Sequence, residues 1–205
     1  MVKLRFIGDV HGRIDQYIAL CREAEHSIQV GDLGFAEHYA QVAAELDPTR
    51  HKYIPGNHDD LDHLPPHCLG DFGVHGVGRM KIFFMRGAFS IDREYRQREG
   101  LWWPNEELSD DQLAQAVELY AQIKPKWVVT HDCPLEVAHY VSNPDLLQAF
   151  GHDADFQSRT QRALQTMFDL HQPERWIFGH FHRNATFQEG RTWFTCLDEM
   201  AVLDL

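Results

Sequence analysis

The chain has 205 residues, 43% hydrophobic and 24% charged. That balance excludes a disordered chain, and at about 100–200 residues per domain it sets the expectation of one domain over residues 1–205. A net charge of −12 with histidine neutral disfavours a protein that coats nucleic acid through a broad basic face.

No apolar run approaches the ~18 residues of a membrane helix, and residues 1–5 carry no signal-peptide core, so a cytoplasmic protein with no membrane partner is expected. Cys21, Cys68, Cys133 and Cys196 are far apart and form no CxxC pair, which argues against a disulfide framework and against thiolate zinc.

In chain order, Val2 to Ile7 alternates apolar and basic residues and predicts a strand. Ile14, Tyr17, Ile18, Cys21 and Ala24 recur at helical spacing. A short apolar stretch over Ile28 to Val30 follows, then a second helical pattern through Tyr39, Val42, Ala43 and Leu46. Lys52-Tyr53-Ile54 reads as a strand. This β-α-β-α-β order predicts a parallel sheet with helical crossovers. Phe72 to Met85 predicts two glycine-punctuated strands. Ser109 and Gln112 form a capping-box pattern that opens a helix stopped before Pro125. Trp127 to Thr130 predicts a strand, and Phe156 to Phe168 a late helix. Trp176 to Phe178, Thr186-Phe187, Trp193 to Thr195 and Ala201 to Leu203 predict the remaining strands. Segments 60–80 and 132–156 read as loop-rich.

Polar clusters recur just after the predicted strands: Gly8-Asp9-Val10-His11-Gly12, Gly31-Asp32, Gly56-Asn57-His58-Asp59, His131 and Gly179-His180-Phe181-His182. Strand C-terminal ends form the crevice where open α/β sheets bind ligands. The candidate donors are the carboxylates Asp9 and Asp32, the amide oxygen of Asn57, and the imidazoles of His11, His131, His180 and His182. That set is too large for one tetrahedral ion and suits two ions of higher coordination. Mixed O/N ligation without sulfur fits Mn, Fe, Zn, Co or Ni. A carboxylate can bridge two ions about 3.5–4 Å apart.

These blocks, in this order, resemble the calcineurin-like metallophosphoesterases. The resemblance implies an α/β fold, a four-layer α-β-β-α sandwich of two mixed sheets with helices on the outer faces. It implies two divalent metal ions, Mn2+ first, with Fe, Zn, Ni, Co or Mg as alternatives. By that pattern Asp9, His11 and His182 hold one ion, Asn57, His131 and His180 the other, and Asp32 bridges them. His58 faces the phosphate as general acid, and Asp59 orients its imidazole. The implied function is hydrolysis of phosphate esters, diesters before monoesters, by direct attack of a metal-bridging hydroxide. The implied substrate is a small phosphoester or nucleotide.

Three other readings compete with this one. A nuclease or nucleic-acid end-processing enzyme is discouraged by the net charge. A protein phosphatase is discouraged because Gly31-Asp32-Leu33-Gly34-Phe35 lacks the arginine that branch carries there. A non-catalytic scaffold is discouraged because every ligand and His58 are retained. The basic run from Arg79 to Arg98 offers Arg86 and Arg93 as candidate substrate-binding residues, against a solvated loop as the plainer reading. Trp102-Trp103 reads as core packing before base stacking, and segment 138–159 as a candidate substrate-selecting loop.

Overall fold

The computed structural model describes residues 3–153 and 155–205. The first third follows the expected alternation: β1 (Leu4–Ile7), α1 (Ile14–Arg22), β2 (His26–Gln29), α2 (Ala36–Glu45) and β3 (His51–Tyr53). Val2 of the expected first strand lies outside the described residues. β4 (Phe72–Val77) and β5 (Met80–Met85) form the expected hairpin. Then come α3 (Arg93–Glu99), α4 (Asp110–Ile123), β6 (Trp127–Thr130), α5 (Leu135–Val141), α6 (Pro144–Ala149), α7 (Arg159–Leu170), β7 (Arg175–Phe178), β8 (Ala185–Glu189), β9 (Thr192–Cys196) and β10 (Val202–Asp204).

The strands make two mixed sheets, ordered β10-β1-β2-β3 and β4-β5-β6-β7-β9-β8. β1, β2 and β3 run parallel, as do β5, β6, β7 and β9. Period-two alternation sorts the side chains into layers. Leu4, Phe6, Ile28, Ile82, Phe84, Val129 and Ile177 point between the sheets. Ile7 and Val10 pack with Ile14, Tyr17, Ile18, Tyr39 and Val42 of the first two helices. Phe83, Val128, Trp176, Phe178 and Phe194 pack under Leu113, Tyr120, Leu164 and Phe168 of α4 and α7. This is the expected four-layer sandwich.

The expected Ser109 cap is present: Ser109 Oγ accepts from the Gln112 N–H, and Gln112 Oε1 accepts from the Ser109 N–H. Ser158 and Gln161 repeat that box at α7, so the late helix starts after Phe156. Phe156 instead joins Phe89 and His152 in an aromatic cluster. The segment read as loop contains α5 and α6. Their brevity hides the helical period, although Asn143 caps α6 with Pro144 just inside it. β10 does not close the sheet its neighbours belong to. It crosses back to pair antiparallel with β1.

The four cysteines are free, three buried and Cys68 half-buried. No helix among the described residues is long and apolar enough to cross a membrane.

Candidate metal centre

Each polar block sits at the C-terminal end of a parallel strand. Asp9 and His11 follow β1, Asp32 follows β2, Asn57 and His58 follow β3, His131 follows β6, and His180 and His182 follow β7. The first three strands belong to one sheet and the last two to the other. The blocks therefore meet only because the two sheets stack.

Donor atoms of Asp9, His11, Asp32 and His182 all lie within 4.8 Å of one another. His11 Nε2 and His182 Nε2 are 2.9 Å apart, and His182 Nε2 is 3.3 Å from Asp9 Oδ2. Beside them, His131 Nε2 lies 3.0 Å from Asn57 Oδ1 and 3.5 Å from Asp32 Oδ1. Neighbouring ligands on one cation with bonds of about 2.1 Å lie about 3 Å apart. Ring nitrogens and carboxylate oxygens at these separations fit a shared cation. Asp32 faces both groups, with Oδ2 3.8 Å from His11 Nε2. The ring of His180 is edge-on to His131 at 5.1 Å, and its backbone N–H donates to Asp9 Oδ2 at 3.0 Å.

The backbone is bent to bring these donors in. His11, Asp32, His180 and His182 have φ of 46°, 59°, 69° and 49°. Left-handed backbone outside glycine costs of order 1–3 kcal/mol and concentrates at functional sites. Two glycines leave the room. A Cβ on Gly56 would stand 2.1 Å from Asp32 Oδ1. One on Gly31, at φ 119°, would stand 2.1 Å from His131 Nδ1.

A second tier of groups orients the donors. His131 Nδ1 is 2.8 Å from the Val30 carbonyl, to which it donates, so Nε2 faces the site. His182 Nδ1 pairs with Glu199 at 3.3 Å, and Arg13 pairs with the same carboxylate. The C-terminal segment that carries Glu199 is tied down by Met200 N–H on the Asp9 carbonyl and Gly8 N–H on the Ala201 carbonyl, both at 2.9 Å. Asn57 Nδ2 donates to Ser90 Oγ at 2.9 Å.

Burial sets the electrostatics. At His131 burial opposes charge, but the adjacent Asp32 carboxylate outweighs it and lifts the imidazole up to about 10. Burial alike opposes charge on Asp32, yet His131 and its neighbours hold that carboxyl well below the usual range. The bond to Asp9 raises His182, while burial beside His131 keeps His180 well below the ordinary imidazole value. A cation entering here must displace the proton of His131.

Two expected roles are corrected. Asp59 does not orient the His58 imidazole. Its carboxylate accepts N–H bonds from Asp32, Leu33, Gly34 and Gly56 at 2.7–2.9 Å and the Tyr39 hydroxyl at 3.0 Å, which fills its capacity. Asp59 is the anchor of the Asp32 loop, and burial pushes it up to about 6. Arg86 is no substrate clamp. It is buried, with Nε on Asp71 at 2.6 Å and Nη1 on the Asn105 carbonyl at 2.8 Å. Arg93 stacks over Trp102 at 4.2 Å. The backbone N–H of His58 donates to Asp32 Oδ1 at 2.8 Å, and its ring meets that of His11 at 5.4 Å.

Beyond the donors opens a cleft of about 490 Å³ lined by Asp32, Asn57, His58, His180 and His182 on one side and by residues of the 141–150 segment on the other. Sequence reasoning missed Ser90, Arg96, Glu106 and Glu199. They lie far from the motifs in chain order, and of these only Arg96 carried a signal, as part of the basic run.

The sequence profile of the calcineurin-like phosphoesterases matches residues 2–184. The chain belongs to this family. No curated protein matches the phosphoesterase. Its fold resembles a dimetal phosphatase from Danio rerio, with a TM-score of 0.59 at 12% identity, covering 98% of this chain and 88% of that one. It also resembles a phosphopantetheinyl hydrolase from Mycobacterium tuberculosis, with a TM-score of 0.54 at 11% identity, covering 99% and 95%. A third likeness is to GAP50, the anchor in the inner membrane complex of Plasmodium, with a TM-score of 0.51 at 8% identity, covering 97% and 72%. These likenesses show the fold. Family membership together with the carboxylate-histidine cluster makes the phosphoesterase a metal-dependent phosphoester hydrolase.

Proposed function

We propose that the phosphoesterase hydrolyses small phosphodiesters at a two-cation centre, with Mn2+ as the working ion. Asp9, His11 and His182 would hold one ion, Asn57, His131 and His180 the other, and Asp32 both. The whole chain would act as one catalytic domain, because both sheets supply donors.

When bound, the ions supply Lewis acidity and lower the pKa of a coordinated water, the nucleophile of the reaction. The protein's own groups do the rest. Asp32 holds its carboxylate between the two donor groups. The loop after β2 cannot shift while Asp59 holds its N–H groups. The His58 imidazole stands at the mouth of the donor cluster and delivers a proton to the departing alkoxide.

The observation that carries the diester preference is the character of the cleft. Ile91, Val141, Leu146, Leu147, Phe150 and Phe181 give it an apolar wall facing the donors. Among the described residues Arg183 is the one Arg or Lys lining it. A monoester dianion calls for more cationic donors than that. A diester monoanion has less charge to neutralise and a second organic substituent to seat on the apolar wall. The net charge of −12 argues against long nucleic acids as substrates.

The test is the chelator-stripped protein reloaded with Mn2+ and assayed on bis-4-nitrophenyl phosphate, 4-nitrophenyl phosphate and a supercoiled plasmid. The expected result is the highest kcat/KM on the diester and an intact plasmid. Faster turnover of the monoester would overturn the diester preference. Nicking of the plasmid would move the substrate class to nucleic acid.

A further inference from the structure

An asparagine can ligate a cation only through Oδ1. The two ends of its amide have nearly the same shape, so something must select which one faces the site. For Asn57 that selection is visible behind the ligand. Nδ2 donates to Ser90 Oγ at 2.9 Å. Ser90 Oγ also accepts from Arg96 Nη1 at 3.0 Å, so both of its lone pairs are taken. Its one proton goes to Glu106 Oε2 at 2.5 Å, while Glu106 Oε1 accepts the Ser90 N–H at 3.2 Å. Arg96 Nη1 further donates to the Asn57 carbonyl at 3.0 Å, and Nη2 to the Leu101 carbonyl at 2.6 Å. Asn57, Ser90, Arg96 and Glu106 are each at most 3% exposed.

We propose that Ser90, Glu106 and Arg96 form a polarity relay that locks the Asn57 amide with its oxygen toward the second cation. They are positioning residues and touch neither the ion nor the substrate. The inference rests on the two-cation reading above.

The direction of every bond in the relay is forced. The carboxylate of Glu106 can only accept, so it orients the Ser90 hydroxyl proton toward itself. The guanidinium of Arg96 can only donate, so it occupies one Ser90 lone pair and leaves the other facing Asn57. Only an N–H can complete that arrangement, and Asn57 therefore turns Nδ2 inward and Oδ1 outward.

Without the relay the inner end of the amide loses the acceptor that selects Nδ2. The relay fixes the ligand-ready orientation before the cation arrives. Its carboxylate and guanidinium cancel in charge, so it adds no net charge beside the site.

The experiment titrates chelator-stripped wild type, Ser90→Ala, Glu106→Gln and Ser90→Thr with Mn2+, following stoichiometry and stepwise affinity by calorimetry and ion coupling by electron paramagnetic resonance. Wild type is expected to bind two ions with an exchange-coupled spectrum. Ser90→Ala and Glu106→Gln keep the first affinity, lose about 10–100-fold in the second, and show isolated-ion spectra at one equivalent. Ser90→Thr, which keeps the hydroxyl, restores the pair.

Wild-type uptake of only one ion would overturn the two-cation reading, and the relay with it. Two ions in wild type with both affinities unchanged in Ser90→Ala and Glu106→Gln would overturn the relay alone. So would parallel weakening of both ions together with a lower melting temperature of the metal-free variants, the signature of a merely structural network.

Discussion

Neighbouring residues at one turn divide the work in a way their types alone do not reveal. His58 and Asp59 are adjacent, yet His58 faces the cleft and Asp59 faces the backbone of the Asp32 loop. Replacing Asp59 by Asn puts an amide NH2 against N–H donors that need an acceptor. Buried donors left unpaired cost about 1–3 kcal/mol each. Asp59→Asn is therefore expected to destabilise the metal-free chain by about 3 kcal/mol or more in urea unfolding and to weaken both cations. His58→Ala should behave oppositely. It keeps both ions and near-wild-type stability, yet loses about 10²-fold in kcat on an ester with a poor leaving group, with a smaller loss when the leaving group is 4-nitrophenolate. Equal losses on the two esters would remove His58 from proton delivery. An unaltered unfolding midpoint in Asp59→Asn would remove Asp59 from its anchoring role. The motif block marked both residues for attention. It did not reveal the anchoring role of Asp59, because its partners are backbone groups apart from the Tyr39 hydroxyl, and backbone groups leave no trace in side-chain pattern.

Among the elements, strands and long helices were legible and short helices were not. β1 to β3 and their two crossovers show in the sequence because burial imposes a period over enough residues to be seen. α5 and α6 span two turns or fewer, and no residue of α6 is buried, so no period develops. The return of β10 to β1 was not legible either, since its partner lies at the other end of the chain. α6 has a consequence for substrate choice. Leu146 and Phe150 are 46% and 44% exposed and line the cleft, so they contribute little to the core and much to the wall. Phe150→Ala should change the unfolding free energy by no more than about 0.5 kcal/mol. Removal of the aromatic surface should lower kcat/KM on bis-4-nitrophenyl phosphate by about 10-fold, through KM, within the range that apolar pocket contacts command. Methyl 4-nitrophenyl phosphate, with little to seat on that wall, should be nearly unaffected. Equal effects on both diesters would show that the 141–150 segment does not select the substituent.

For the whole molecule, 14 histidines and a net charge of −12 pull in opposite directions as pH falls. Protonation relieves the excess negative charge and so relaxes self-repulsion. At 0.15 M salt, however, the screening length is about 8 Å, and repulsion between exposed charges is weak. A buried imidazole escapes that screening. His51 opens β3 at 5% exposure, 3.0 Å from Ser27 Oγ. Burial, with help from Arg50, lowers it to about 4, against about 6.5 in the unfolded chain. A lowered value means that the unfolded chain binds a proton which the folded chain refuses. The stability that neutral His51 contributes is whole above pH ~6.5 and is lost as pH falls toward 4. His67, also lowered by burial and bonded to the Leu46 carbonyl, acts in the same direction. Buried Asp59 and Asp132, which burial lifts to about 6 and about 7, act the other way, since the folded chain binds their protons first. The share of His51 is therefore read as a difference between two proteins. His51→Gln keeps a polar partner for Ser27 but cannot titrate. Relative to wild type, the metal-free variant should lose less unfolding free energy, measured in urea, as pH falls from about 6.5 to about 4.5 in 0.15 M salt, the difference amounting to about one proton in the linkage slope. Equal slopes in the two proteins would place the proton uptake elsewhere than His51.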